Sequence, residues 1–264
     1  NGNPLTYRGY TMSWEKGRQL ASMTKNGTTT SFKYDASGLR TEKTRGSVKT
    51  EYTYVGEKLV SMKSGSTVMN FAYGADGSPY SFTYNGTTYF YLLNLQGDVI
   101  GIYDANGNVV ARYNYDAWGK LVSTTSSNSA VALSNPLRYR GYVYDRDTEL
   151  YYLQSRYYDP DTGRFINADS LLIAGNDCIQ GANMYAYCYN NPVMYSDPTG
   201  YNPDIIDLMQ YFTKMLPVLI SVVDFMYKFL DPGDEEITNS IDITEALNKA
   251  MVEHANELKE YQML

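Results

Sequence analysis

The chain has 264 residues, 43% of them hydrophobic, enough for one large domain or two small ones. Its net charge is −7 but unevenly spread: residues 1–200 carry 18 basic and 17 acidic side chains, residues 201–264 carry 4 and 12. That break marks a boundary near Gly200, and neither half has the basic excess that a nucleic-acid binder needs.

Tyrosine is the outlying residue type, with 28 against 8 phenylalanines. Its ring packs on a pleated surface while its hydroxyl reaches a polar partner, so many short strands are expected. Two cysteines, Cys178 and Cys188, make no disulfide framework, and two unrelated buried thiols is the simpler reading. The chain opens on Asn1 with neither Met nor a signal peptide, so it reads as a piece of a longer protein.

From the amino end, an aromatic followed by a short turn and glycine recurs. The instances are Trp14-Glu15-Lys16-Gly17, Tyr34-Asp35-Ala36-Ser37-Gly38, Tyr54-Val55-Gly56 and Tyr73-Gly74-Ala75-Asp76-Gly77, then a drifted Asn94-Leu95-Gln96-Gly97. Tyr103-Asp104-Ala105-Asn106-Gly107 and Tyr115-Asp116-Ala117-Trp118-Gly119 continue the series. Each unit reads as one hairpin. Ser31-Phe32-Lys33-Tyr34 alternates like a half-buried strand, Asp35 caps the turn, and Gly38 supplies the positive φ. Asn26-Gly27 and Asn85-Gly86 are two-residue hairpin turns between units. One such hairpin cannot bury its own face, so the units must stack into a continuous sheet.

Residues 138–165 read RYRGYVYDRDTELYYLQSRYYDPDTGRF. Tyr151 to Tyr158 is expected as a strand, and Asp159-Pro160-Asp161-Thr162-Gly163 as a turn. Arg156 and Arg164 could pair with acids such as Asp159 or Asp169, or stack on tyrosines. With YDANGNVVARYNYDAWG at 103–119, this stretch closely resembles the Rhs-repeat-associated core. That core is shared with the C component of insecticidal toxin complexes and is related to teneurin YD shells.

The resemblance implies a mainly β fold. YD hairpins would form a curved, open strip of spiral sheet, with a core segment packed at its end as a plug and a short α-helical tail. Three parts are expected: repeats over 1–88, the core over 89–200 and a variable tail over 201–264. It further implies a structural carrier for a carboxy-terminal effector, in a secreted or cell-surface protein of the polymorphic-toxin kind used in interbacterial competition. The expected partners are the chain's own tail and the upstream repeats. Cell-wall glycan on the aromatic sheet and a membrane for the tail stay open.

Some relatives free their cargo by aspartyl-type self-cleavage, using two Asp-Pro-x-Gly motifs and cutting just after the second. Here the second motif stands intact as Asp197-Pro198-Thr199-Gly200, whereas the first is reduced to Asp169-Ser170-Leu171-Leu172. The candidate catalytic pair is therefore Asp169 and Asp197, with Arg164 in support and Tyr201–Asn202 as the scissile bond. The bland alternative makes both aspartates turn residues. No His/Cys cluster suits a metal, no cofactor motif is present, and His254 lies alone in a charged helix.

The tail changes to a helical period. The apolar run at 205–230 is broken by Asp207, Lys214, Pro217, Asp224 and Lys228, and its uninterrupted part, 215–223, is too short for a span. A second helix is expected to start near Asp242 or Thr244, with Leu247, Met251, Ala255 and Leu258 on one face.

Overall fold

A computed structural model describes residues 2–169, 183–201 and 204–205. The expectations for Cys178, His254 and the tail helices fall outside these residues. So does the apolar run, apart from the backbone of Ile205.

Thirteen antiparallel strands follow one another in chain order. They are β1 (Thr6–Tyr7), β2 (Tyr10–Glu15), β3 (Gln19–Lys25), β4 (Thr28–Tyr34), β5 (Arg40–Arg45), β6 (Val48–Val55), β7 (Lys58–Ser64), β8 (Thr67–Tyr73), β9 (Pro79–Tyr84), β10 (Thr87–Leu93), β11 (Val99–Asp104), β12 (Val109–Tyr115) and β13 (Leu121–Ser126). Each pairs with its neighbours in sequence, and β1 and β13 are the two edges, so the sheet is the expected open strip.

The turns show why these residues make hairpins. The side-chain oxygen of Asp35 accepts from the backbone N–H of Ser37 and Leu39. Asp104 does the same for Asn106 and Asn108, and Asp116 for Trp118 and Lys120. The drifted unit uses the same device, Asn94 accepting from Gln96 and Asp98. Each turn thereby satisfies two donors that no strand could reach. The tyrosine before the turn then reaches back to a carbonyl on the preceding strand. Tyr34 donates to Leu20, Tyr73 to Leu59 and Tyr115 to Val99, at 2.9, 2.7 and 2.9 Å.

One unit lies differently from its reading. The Tyr103–Gly107 turn joins β11 to β12, at the end of the strip where Asn26-Gly27 and Asn85-Gly86 turn. It therefore replaces a two-residue turn between units, and the unit itself runs from Asn94 to Tyr115.

After β13 comes a single-turn helix, α1 (Ser129–Ser134), capped by Asn128. A second sheet follows, formed by β14 (Val143–Asp145), β15 (Leu150–Leu153), β16 (Arg156–Asp159) and β17 (Arg164–Phe165). The expected single strand from Tyr151 to Tyr158 is thus a hairpin, turning at Gln154, whose φ is +58°. Every residue of β15 and β16 is buried, so no polar–apolar alternation marks the turn.

This second sheet packs on the strip. Phe32 lies 5.5 Å from Tyr157 between ring centroids, and the Tyr34 and Tyr157 hydroxyls are 2.9 Å apart. Tyr7 donates to Asp159 at 2.6 Å, and Tyr152 accepts the backbone N–H of Arg40 at 2.8 Å. Gly119 permits a further close approach, because a Cβ there would sit 2.5 Å from the Tyr139 ring.

At the centre of the contact is a charge. Across the turns Trp14 pairs with Leu20, Tyr54 with Leu59 and Tyr115 with Leu121, but Tyr34 pairs with Arg40. Arg40 is fully buried and ion-paired to Asp145 of β14, which also holds Lys43 at 3.0 Å. The rings of Tyr152 and Tyr52 flank the guanidinium at 4.4 and 4.7 Å. Burial alone would raise the Asp145 carboxyl, but Arg40 and Lys43 outweigh it and hold it below its ordinary value.

Candidate functional site

The intact Asp-Pro-Thr-Gly motif lies in the loop joining two short strands, β18 (Tyr195–Ser196) and β19 (Asp204–Ile205). Gly200 turns this loop with φ +73°, and a Cβ there would come 2.5 Å from the Leu153 carbonyl oxygen. Glycine is required because the loop is pressed against the β15–β16 turn. Ser155 donates to the Thr199 carbonyl from both its backbone N–H, at 3.2 Å, and its hydroxyl, at 2.7 Å.

Asp197 is buried at the base of this loop. Its backbone N–H donates to the Tyr142 hydroxyl at 2.9 Å, and its Oδ1 takes no hydrogen bond from the described residues. Asp169 lies four residues after β17, its backbone N–H donating to the Met184 carbonyl at 2.9 Å.

One side chain joins the two aspartates. Nη2 of Arg156 lies 3.0 Å from Asp169 Oδ2 and 3.2 Å from Asp197 Oδ2. Nε of the same guanidinium donates to the Gly200 carbonyl, and Nη1 donates to Met184 O at 3.2 Å. The group stacks 3.5 Å from the centroid of the Phe165 ring, so its plane is fixed. Two carboxylates and the carbonyl one residue before Tyr201 are thereby held to a single cation.

Burial pushes the Asp197 carboxyl up to about 6. Arg156 and the backbone amides of Gly200 and Tyr201 pull it down, and Asp169 adds to the rise. Burial and a like charge are the two causes expected of a carboxyl that holds a proton near neutrality.

The pair nominated by the motif is thus brought to one guanidinium. Arg164 is exposed on β17 and bonds neither aspartate, so the contact expected of it falls to Arg156. Tyr201 is 41% exposed, while Asn202 lies outside the described residues. The sequence offers Asp169 as one possible partner of Arg156, and the two are paired; the second partner, Asp197, carried no such signal. Nor did Arg18, whose Nη1 lies 3.8 Å from Asp169 Oδ1. Cys188 is a free, buried thiol, its pKa pushed up to about 12 by that burial.

A family model described as Teneurin YD-shell matches residues 60–193, about half of the chain. The chain belongs to the YD-shell family. Among curated relatives, the tRNA3(Ser)-specific nuclease WapA of Bacillus spizizenii is 39% identical over 208 residues, 76% of this chain and 9% of the relative. Toxin protein Tse5 of Pseudomonas aeruginosa is 40% identical over 67 residues, 25% of this chain and 5% of that protein. The chain therefore spans under a tenth of the length of these relatives. Among solved structures, TcdB2-TccC3-TEV aligns with a TM-score of 0.62 at 22% identity, covering 75% of this chain and 10% of that one. At that identity the likeness is one of fold.

Proposed function

We propose that this chain is a carrier module of an Rhs-type toxin, exported or displayed at the cell surface. Residues 1–88 and 89–200 would form the shell wall and its core, presenting the segment after 200 as cargo. The observation that carries this reading is the docking of the core sheet onto the repeat strip through Arg40 and Asp145. The docked core ends at the loop from which the tail departs. Relatives named as toxins and nucleases support it. A carrier is indifferent to its cargo. Exchanging residues 207–264, beyond the strand that pairs with β18, for an unrelated reporter domain should leave the thermal midpoint of the carrier unchanged. A carrier that no longer folds with foreign cargo would end this reading.

A second reading is favoured by the shared guanidinium: the module cuts its own tail free. Asp197, with its raised pKa, would serve as the acid and Asp169 as the base. Asp169 takes a proton from water while the water oxygen bonds the Tyr201 carbonyl carbon. Asp197 gives its proton to the Asn202 nitrogen as the C–N bond breaks, leaving a carboxyl on Tyr201 and an amine on Asn202. The intact mass of the incubated chain should fall by residues 202–264, and Asp197→Asn should abolish the loss. A loss that persists in the variant would assign the cut to a contaminating protease.

A further inference from the structure

Arg18 belongs to the turn between β2 and β3, in the amino-terminal part of the strip and far in sequence from the motif. Its side chain nevertheless reaches the candidate site. Nη1 lies 3.8 Å from Asp169 Oδ1, and the guanidinium carbon sits 5.5 Å from the centroid of the Tyr201 ring. Nη1 is buried yet makes no hydrogen bond within the described residues. The side chain as a whole is partly exposed, but a guanidinium nitrogen shielded from water without a hydrogen bond is costly unless the groups beside it use its charge. Here those groups are one candidate catalytic carboxylate and the side chain at the expected cut. Arg156 lies in the same electrostatic neighbourhood, so two guanidinium groups face the aspartates.

We propose that Arg18 is a positioning residue for self-cleavage, holding the Tyr201 ring and Asp169 in register across the loop. The inference rests on the second reading above. Its consequence is regulatory. Arg18 is supplied by a repeat hairpin, so the site is complete only when that hairpin has docked on the core segment. Cutting is thereby tied to assembly of the strip, and a chain still folding keeps its tail. The ring face attracts the cation by its quadrupole, and the planar guanidinium suits both ring and carboxylate better than an ammonium does.

The test is the rate of appearance of the fragment beginning at residue 202, followed by intact mass on the full chain. Parent, Arg18→Gln, Arg18→Lys, Tyr201→Leu and the Arg18→Gln/Tyr201→Leu double variant are compared. Removing the guanidinium should slow release about tenfold. Arg18→Lys should fall between, and the double variant should be no slower than the slower single one, because both changes remove the same contact. Thermal midpoints should stay together, since Arg18 and Tyr201 both lie at the surface. A parent that is cut while Arg18→Gln is cut equally fast overturns the role of Arg18 alone, as do strictly additive effects. An uncut parent overturns the self-cleavage reading and this inference with it.

Discussion

Asp145→Ala is expected to destabilise the chain by about 3–5 kcal/mol, the cost of leaving a buried cation without its partner. Arg40 is fully buried among aromatic rings, and with Asp145 gone its guanidinium keeps the Tyr157 hydroxyl, at 3.4 Å, as its remaining hydrogen-bond acceptor. Lys43 keeps a second acid, Asp147 at 3.4 Å, so Arg40 dominates the loss. The companion double variant, Arg40→Leu with Asp145→Leu, should recover most of it. Leucine is what the strip carries at the equivalent positions 20, 59 and 121, and paired apolar side chains of similar size often replace a buried ion pair at little cost. Urea unfolding of the two variants beside the parent measures both. Equal losses in the single and double variants would mean that the pair contributes no mutual stabilisation.

The second large effect concerns Asp197 and has an unusual sign. The folded carboxyl keeps its proton up to about pH 6, against an ordinary value of 3.8. Between those values the folded chain binds more protons than the unfolded one. Stability therefore falls as pH rises through the window, and the group has no further effect below or above it. The full size is about 3 kcal/mol. Asp197→Asn mimics the protonated form and should escape this loss. The variant should gain on the parent as pH rises from 4 to 6, then hold a constant advantage. Unfolding free energies of freshly purified, intact chains at several pH values decide the matter. A pH-independent difference would place the raised pKa elsewhere.

The repeat strip was legible because its signals are local. An Asp or Asn side chain capping two backbone donors before a glycine is the same chemistry at 35, 94, 104 and 116, and it needs no distant partner. Which end of the strip each turn occupies was not legible at Tyr103, where the longer turn substitutes for Asn-Gly. The core hairpin was misread as one strand because tertiary burial of both faces erased the period-two signal. Arg40 could have been found by aligning the units, since an arginine stands where the others place leucine, proline or valine. Its partner Asp145, more than a hundred positions away, could not. The same holds for the site. The motif nominates Asp169 and Asp197, but their meeting on Arg156, and the arrival of Arg18 from a repeat turn, are consequences of packing the core sheet on the strip.

Both proposed functions depend on the strip and the core segment being one cooperative body. Hydrogen exchange of the full chain, followed by mass spectrometry in the parent and in Asp145→Ala, tests that most directly. The expected result is that the amides of β3 to β8 and those of β14 to β17 lose protection together in the variant, at matching rates. Loss confined to β14–β17, with the strip as protected as in the parent, would contradict it.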